Sequence, residues 1–236
     1  MEGTPQGELM SANRIINKII IIGAGGHAAE IHDYIRYIIN MGSEHPQSIS
    51  YELAGVIDDN PDTYEKYKFK CEYLGSINGH KVQNDCRYVI GIANLEFRHK
   101  IVERFLKEGA QFETLVHPSA YVSETARIGT GSVIAPNVNL GPNVSVGSFT
   151  LVNARCSLGH DTKVGDFNFI SPNVCFSGGT SVGDHNLFGI NSATIPGIKV
   201  GNRNKIMAGM VLDKNVGDDE TVFYRHKEKV IAIPRK

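Results

Sequence analysis

No stretch of about 18 apolar residues occurs in this chain of 236 residues, so nothing in it reads as a membrane-spanning helix. The opening MEGTPQGELMSANRIIN has no apolar core and does not read as a signal peptide; residues 1–17 are expected to be a flexible tail. Cysteine is sparse. Its four copies (Cys71, Cys86, Cys156, Cys175) form no CxxC pair and have no metal-ligand spacing, so no metal is expected. That usage fits a reducing compartment, with Cys156 and Cys175 expected as small buried thiols. Net charge is −1 and the basic residues are scattered, which leaves no electrostatic footprint for nucleic acid or an anionic membrane. The expectation is a soluble, cytoplasmic protein, long enough for two domains with separate cores.

What the sequence has in abundance is a period of six. Sixteen consecutive hexads run through residues 120–215 without an insertion. Their third position reads Val122, Ile128, Ile134, Leu140, Val146, Val152, Leu158, Val164, Ile170, Phe176, Val182, Phe188, Thr194, Val200, Ile206 and Leu212, apolar everywhere except Thr194. The following position is mostly Gly, Ala or Ser, and the position two before is usually small or β-branched, as at Ser132, Val138, Thr150 and Thr162. A helix needs a period near 3.6 and a simple strand a period of two, so a strict six suits neither. It suits a parallel β-helix, in which each hexad is a short strand plus a corner and three hexads make one triangular coil.

The first hundred residues have another character. KIIII at residues 18–22 is a short buried strand, GAGGHA at 23–28 is a glycine turn, and a helical pattern continues to about Asn40. Residues 51–59 (YELAGVIDD) read as a second strand, residues 60–79 as irregular, and residues 88–92 as a third strand. An amphipathic helix over residues 94–109 is expected to bury Phe97, Ile101, Phe105 and Leu106, and residues 111–116 read as a last strand. The fold class is therefore an α/β Rossmann-like domain over residues 18–116, then an all-β parallel β-helix over 117–217 and a C-terminal tail over 218–236.

The glycine turn admits three readings. As GxGxxA it matches a dinucleotide fingerprint; it equally suits the pyrophosphate of a nucleotide sugar; or it is a tight turn with no ligand. Against a nicotinamide cofactor stands the absence of a second βαβ half. Asp58 and Asp59 either contact a ribose or base or serve as turn carboxylates, and His27 either touches a ligand or caps the helix. In the hexads, His160 stands at a corner beside Asp161, with Gly178 one coil above. That juxtaposition offers a base, a group that orients it and exposed N–H donors, as attack on a thioester requires. The bland alternative is a solvent-exposed turn histidine. His185 lies at another corner, out of register with His160, and His117 before Pro118 reads as a junction residue.

Taken together, GAGGHA, the IDD that closes the second strand, GIAN with the following Arg98, HPSAYVSETARIG and the corner GHDTKVGDF resemble one family over about residues 18–217. The chain resembles the sialic acid O-acetyltransferase family of sugar O-acyltransferases, closest in kind to bacterial N-acetyltransferases of nucleotide-linked amino sugars of the bacillosamine-pathway type. The resemblance implies a left-handed β-helix, a homotrimer with active sites between subunits, and acetyl-CoA as acyl donor. It implies His160 as general base and Asp161 as its polarising neighbour. It places Gly25, Gly26, His27, Asp58, Asp59 and Asn94 at a nucleotide-sugar pocket, and Gly178, Ile190 and Ala208 along the acetyl-CoA groove. Two departures stand out. Where some relatives carry a second histidine this chain has Phe169, preceded by Asn168, so that either the Asn168 side chain or the backbone alone would position the acetyl group. The common C-terminal Gly-x-Pro-Ala-Lys segment is replaced by FYRHKEKVIAIPRK, in which Arg225, His226, Lys227 and Lys229 offer cations for the CoA phosphates. The implied activity is N-acetylation of a UDP- or TDP-linked amino sugar. The alternatives are O-acetylation of a sugar of the sialic acid type and a non-catalytic nucleotide-binding β-helix.

Overall fold

The structure, a computed structural model, describes residues 16–42 and 50–224, which fall into two compact units that divide between Gly91 and Ile92. In the first, strand β1 (Ile16–Ile22) lies between β2 (Ser50–Ile57) and β3 (Cys86–Ile90), all parallel. Ile19, Ile20, Ile21 and Ile22 are all fully buried, as a strand covered on both faces requires. Helix α1 (Gly26–Gly42) follows the glycine turn and buries Ala28, Ile31, Ile35 and Ile38, one stripe at helical spacing.

The segment expected to be irregular contains a short helix, α2 (Pro61–Tyr67). Its signals are local and readable in retrospect. Asn60 caps it by accepting from the Asp62 N–H at 3.0 Å, Pro61 takes the first turn, and Lys68 ends it in the left-handed conformation. No residue of α2 is buried, so no apolar periodicity announced it.

Helix α3 (Leu95–Lys107) and residues 111–116, assigned by sequence to the first domain, lie in the second unit. Its buried face is Arg98, Ile101, Val102 and Phe105; Phe97 and Leu106, expected on that face, are exposed. Arg98 replaces them. Its guanidinium is fully buried and donates to the Phe149 carbonyl at 3.0 Å, and burial pulls its pKa down to about 10. Nε and Nη1 of Arg98 have no acceptor among the described residues.

Sixteen short strands recur at every hexad from Tyr121–Val122 to Val211–Leu212, in three parallel sheets. Away from the sheet ends each pairs with the strands one coil before and one coil after, as Ser157–Leu158 does with Asn139–Leu140 and Cys175–Phe176. The coil starts one hexad earlier than the sequence pattern indicated, because Leu115–Val116 pairs with Val133–Ile134. At the far end, Thr221–Val222 pairs with Lys205–Ile206, which makes the closing coil shorter than the others. The third-position side chains from Ile134 to Leu212 fill the interior. Thr194, the exception, is satisfied there by Thr180 Oγ1 at 2.8 Å and by the Ser177 N–H at 3.1 Å. The fourth position is small because coils touch: a Cβ on Gly147 would lie 2.5 Å from the Gly165 carbonyl carbon. Cys156 is buried as expected, whereas Cys175 occupies an outward position and is exposed.

A second interior column is polar. Ser132, Thr150, Asn168, Asn186 and Asn204 stack one above another, coil by coil, and are buried. Each accepts from the backbone N–H one coil on: Asn168 Oδ1 from Asn186 at 2.8 Å, Asn186 Oδ1 from Asn204 at 2.8 Å, and Asn204 Oδ1 from Glu220 at 2.7 Å. The amide nitrogens of Asn168, Asn186 and Asn204 donate to the carbonyls of Gly183, Gly201 and Gly217. The column satisfies backbone groups that the turning chain would otherwise bury without partners.

The corners hold left-handed residues at the sixth hexad position, among them Asn143, Phe149, Asp161, Phe167, His185 and Arg203, with φ between 53° and 61°. Successive corners stack: the Phe149 and Phe167 ring centroids are 5.1 Å apart, those of Phe167 and His185 also 5.1 Å, and His99 of α3 sits edge-on to both Phe167 and His185.

Two outcomes follow. Asn186→Ala removes one acceptor and two donations from the buried column and opens a void, and it should cost about 2–4 kcal/mol, read as a lowered urea midpoint. The His185 pKa is lowered, first by burial and then by His99, against opposing pulls from Asp184 and Asp166. Folded His185 thus binds fewer protons than the unfolded residue, and its contribution is lost as pH falls through the unfolded value of about 6.5. His185→Phe extends the aromatic stack, so its loss of melting temperature between pH 7.5 and 5.5 should be smaller than the parent's; equal losses would discard this role for His185.

Candidate active site

The corner that carries His160 is built by the left-handed rungs Asn143 (φ 58°), Asp161 (φ 59°) and Gly179 (φ 71°). The last two are each fastened to the coil before: the Asp161 N–H donates to the Pro142 carbonyl at 2.9 Å and the Gly179 N–H to the His160 carbonyl at 2.9 Å. His160, one residue before the rung, points outward, with its side chain 71% exposed. Its Nδ1 lies 2.8 Å from Asp161 Oδ2. A carboxylate only accepts, so Nδ1 carries the proton, and in the neutral ring the lone pair is on Nε2. The hydrogen bond from His160, and after it the one from Asn143, holds the Asp161 carboxyl below its ordinary pKa.

Gly178 lies directly above the ring. A Cβ there would fall 2.5 Å from Nε2 and 2.7 Å from Cε1 of His160, so only glycine leaves the imidazole in this place. The Gly178 N–H has no acceptor among the described residues. One corner therefore presents a lone pair, a carboxylate that fixes its tautomer, and an unengaged N–H, which is the equipment for taking a proton while a negative oxygen develops nearby.

The remaining sequence-chosen residues divide sharply. Ile190 and Ala208 are exposed, but they stand in the column of Ala154 and Pro172, on the corner before that of His160, so one chain does not gather them with His160. Asn168 is corrected outright. It is fully buried inside the coil, its amide spent on the polar column, because its hexad position faces inward. His117 is buried and bonded through Nδ1 to the Ser119 hydroxyl at 2.7 Å. Asn94 caps α3, accepting from the Phe97 N–H at 2.9 Å. Arg225, His226, Lys227 and Lys229 lie outside the described residues. Asn143, which donates Nδ2 to Asp161 Oδ1 at 3.0 Å, was not singled out by sequence, although its place one coil before Asp161 could be counted.

In the first unit, Asp58 organises the glycine turn. Its Oδ2 accepts from the Ala24 N–H at 2.6 Å and its Oδ1 from the Asn60 N–H at 2.8 Å. Asp58 is thus a turn carboxylate, and it already occupies one of the N–H groups a phosphate would seek. Asp59 holds Asn78 through backbone and side chain at 3.1 and 3.0 Å. His27 meets Glu30 at 3.3 Å on the first turn of α1. A Cβ on Gly25 would meet nothing within 4 Å, so the space beside it is open.

Among the described residues, no helix is long and apolar enough to cross a membrane, and no three His, Cys, Asp or Glu side chains gather as a metal site. Residues 18–105 match the family model described as the PglD N-terminal domain. The UDP-N-acetylbacillosamine N-acetyltransferase of Bacillus subtilis (strain 168) is 33% identical over 123 residues, 50% of this chain and 51% of that protein. The match thus spans about half the length of that relative. Among solved structures, a histidine-to-asparagine mutant of perosamine N-acetyltransferase from Caulobacter crescentus, in complex with CoA and GDP-perosamine, superposes with a TM-score of 0.72 at 22% identity, over 89% of this chain and 95% of that one. The acetyltransferase domain of PglB from Neisseria gonorrhoeae FA1090, in complex with acetyl coenzyme A, gives 0.69 at 24% identity, over 89% and 96%. These likenesses establish the fold. The relatives are named for N-acetylation or acetyl transfer, and the sialic acid O-acetyltransferase label finds no support in them.

Gly178→Ala tests the corner without touching its chemistry. The new methyl group should push the exposed His160 ring off its place and lengthen or break the bond to Asp161, visible in a crystal structure of the variant. Since the ring can swing into solvent, stability should change by less than about 1 kcal/mol. An undisturbed His160 in that variant would contradict the geometry.

Proposed function

We propose that the chain is an acetyl-CoA-dependent N-acetyltransferase acting on the amino group of a nucleotide-linked amino-deoxy sugar. The carrying observation is the His160 corner: Nδ1 held by Asp161 at 2.8 Å, Nε2 left free of that bond, and Gly178, bare of a side chain, against the ring with its N–H unengaged among the described residues. In the reaction, the amine nitrogen attacks the thioester carbonyl carbon while its proton passes to His160 Nε2. In this reading the Gly178 N–H donates to the developing oxyanion, and the carbon–sulfur bond then breaks. The proton held on Nε2 leaves with the CoA sulfur, and the products are an amide and a free thiol. Each step needs only the groups on this corner.

Support for the substrate class comes from the relatives, among them a UDP-N-acetylbacillosamine N-acetyltransferase and a perosamine N-acetyltransferase solved with CoA and GDP-perosamine. The N-terminal unit is read as a Rossmann-like nucleotide-sugar domain in which the pyrophosphate approaches Gly25 and Gly26, where space is open beside Gly25 and the N-terminus of α1 favours an anion. Asp58 then shapes the turn rather than reading the base. The coil is read as left-handed and the molecule as a cytoplasmic homotrimer. The trimer reading is supported by the separation of Ile190 and Ala208 from His160 on one chain, since residues on adjacent corners come together when the corner of one subunit faces the next.

The test is a panel of UDP-, TDP- and GDP-linked amino sugars with acetyl-CoA, followed by thiol release. His160→Ala should lower turnover by about 10²–10⁴-fold and Asp161→Asn by less. Thiol release with a free sugar hydroxyl and none with any amine would replace this reading by O-acetylation. Full activity of His160→Ala alongside a dead His185→Ala would move the site to another corner.

A further inference from the structure

We propose that Asn143 is a positioning residue for the His160 base, acting through Asp161; this rests on the reading of His160 as the base. Asp161 has two carboxylate oxygens and each has one side-chain partner: Oδ2 accepts from His160 Nδ1 at 2.8 Å and Oδ1 from Asn143 Nδ2 at 3.0 Å. The three residues form one chain of hydrogen bonds running up the corner, from Asn143 through Asp161 to the imidazole. Asn143 is itself anchored, its backbone N–H donating to Thr125 Oγ1 at 2.9 Å, one coil further back.

The physical need is plain. Asp161 is largely exposed, at 57%, and a lone exposed carboxylate rotates freely about its side-chain bonds. With Oδ1 tied to Asn143, the other oxygen is aimed at His160 in one orientation. Gly178 bounds the ring from the opposite side, so the imidazole is confined between a hydrogen bond and a backbone surface. The amide also fixes which charge the dyad carries, because a neutral donor supports an ionised Asp161 where a second carboxylate would oppose it. Vertical side-chain bonds occur on the other corners as well, at Arg155 to Asn173 and Arg203 to Asp219, where they merely join coils. At Asn143 the bond ends on the partner of the base, and that makes the two roles separable by experiment.

The left-handed backbone at Asn143 permits a clean deletion, since glycine adopts φ near 58° without strain. Asn143→Gly should lower kcat about tenfold while KM for nucleotide sugar and acetyl-CoA stays within about twofold. Asn143→Asp, isosteric but charged, favours the imidazolium, so the acid limb of kcat/KM should move up by about half a pH unit or more. A rung that only joined coils would lower the melting temperature of both variants and leave kcat and the acid limb in place. That result, obtained with His160→Ala inactive in the same assay, overturns the role of Asn143 alone. If His160→Ala keeps parental turnover, the base reading falls and this inference falls with it.

Discussion

Vertical register, held at three hexads to the coil, is the constraint on which everything else in the β-helix depends. Each coil is only as stable as its hydrogen bonds to the coils before and after it, as in Gly141 to Leu158 and Gly159 to Phe176. A single insertion within a coil would turn the inward side chains beyond it outward and break each column at once. The register also dictates side-chain chemistry by column. The aliphatic column excludes water, the Ser–Thr–Asn column satisfies backbone groups at the turns, and the glycine column lets coils approach closely.

The same constraint decides where chemistry can sit. Inward positions are committed: Asn168 has the functional groups of a ligand-binding residue and none of the freedom, because both ends of its amide serve the column. Corners are different. A corner residue in the left-handed conformation is costly for most side chains, by roughly 1–2 kcal/mol each, and is held by the coils around it. The cost is offset by rigidity, so an exposed His160 keeps a defined place that an ordinary surface loop would not give it. The stacking that fixes the corner also supplies Asp161 beside the ring and Gly178 above.

Helix α3 shows how an outside element is joined to this frame. Arg98 enters with a full positive charge and, among the described residues, one carbonyl to receive it, and burial lowers its pKa without discharging it. His99 beside it meets the aromatic stack of Phe167 and His185. A polar anchor and a ring contact thus tie the helix to one corner, in addition to the apolar stripe of Ile101, Val102 and Phe105 that it buries. This is why the exposed Phe97 and Leu106 were misleading as markers of its buried face.

Much of the architecture was legible in the chain itself, because a period of six admits one backbone solution and the apolar run of β1 admits few. The hexad frame located the strands, the inward column and the corner of His160 and Asp161, since these follow from counting. The short helix α2 was missed because it buries nothing, and the first coil strand at Leu115 because one hexad has no period of its own. What counting could not supply was direction. Whether Asp58 faces a ligand or the Ala24 N–H, whether Asn168 faces in or out, and whether Asn143 reaches Asp161 depend on side-chain orientation and on which atoms compete for each donor. Those are settled by atoms a whole coil or more away along the chain. Sequence by itself determined the coil and the column each residue occupies; tertiary structure alone decided what each polar group touches, because hydrogen bonds are chosen by geometry across coils and not by position along one.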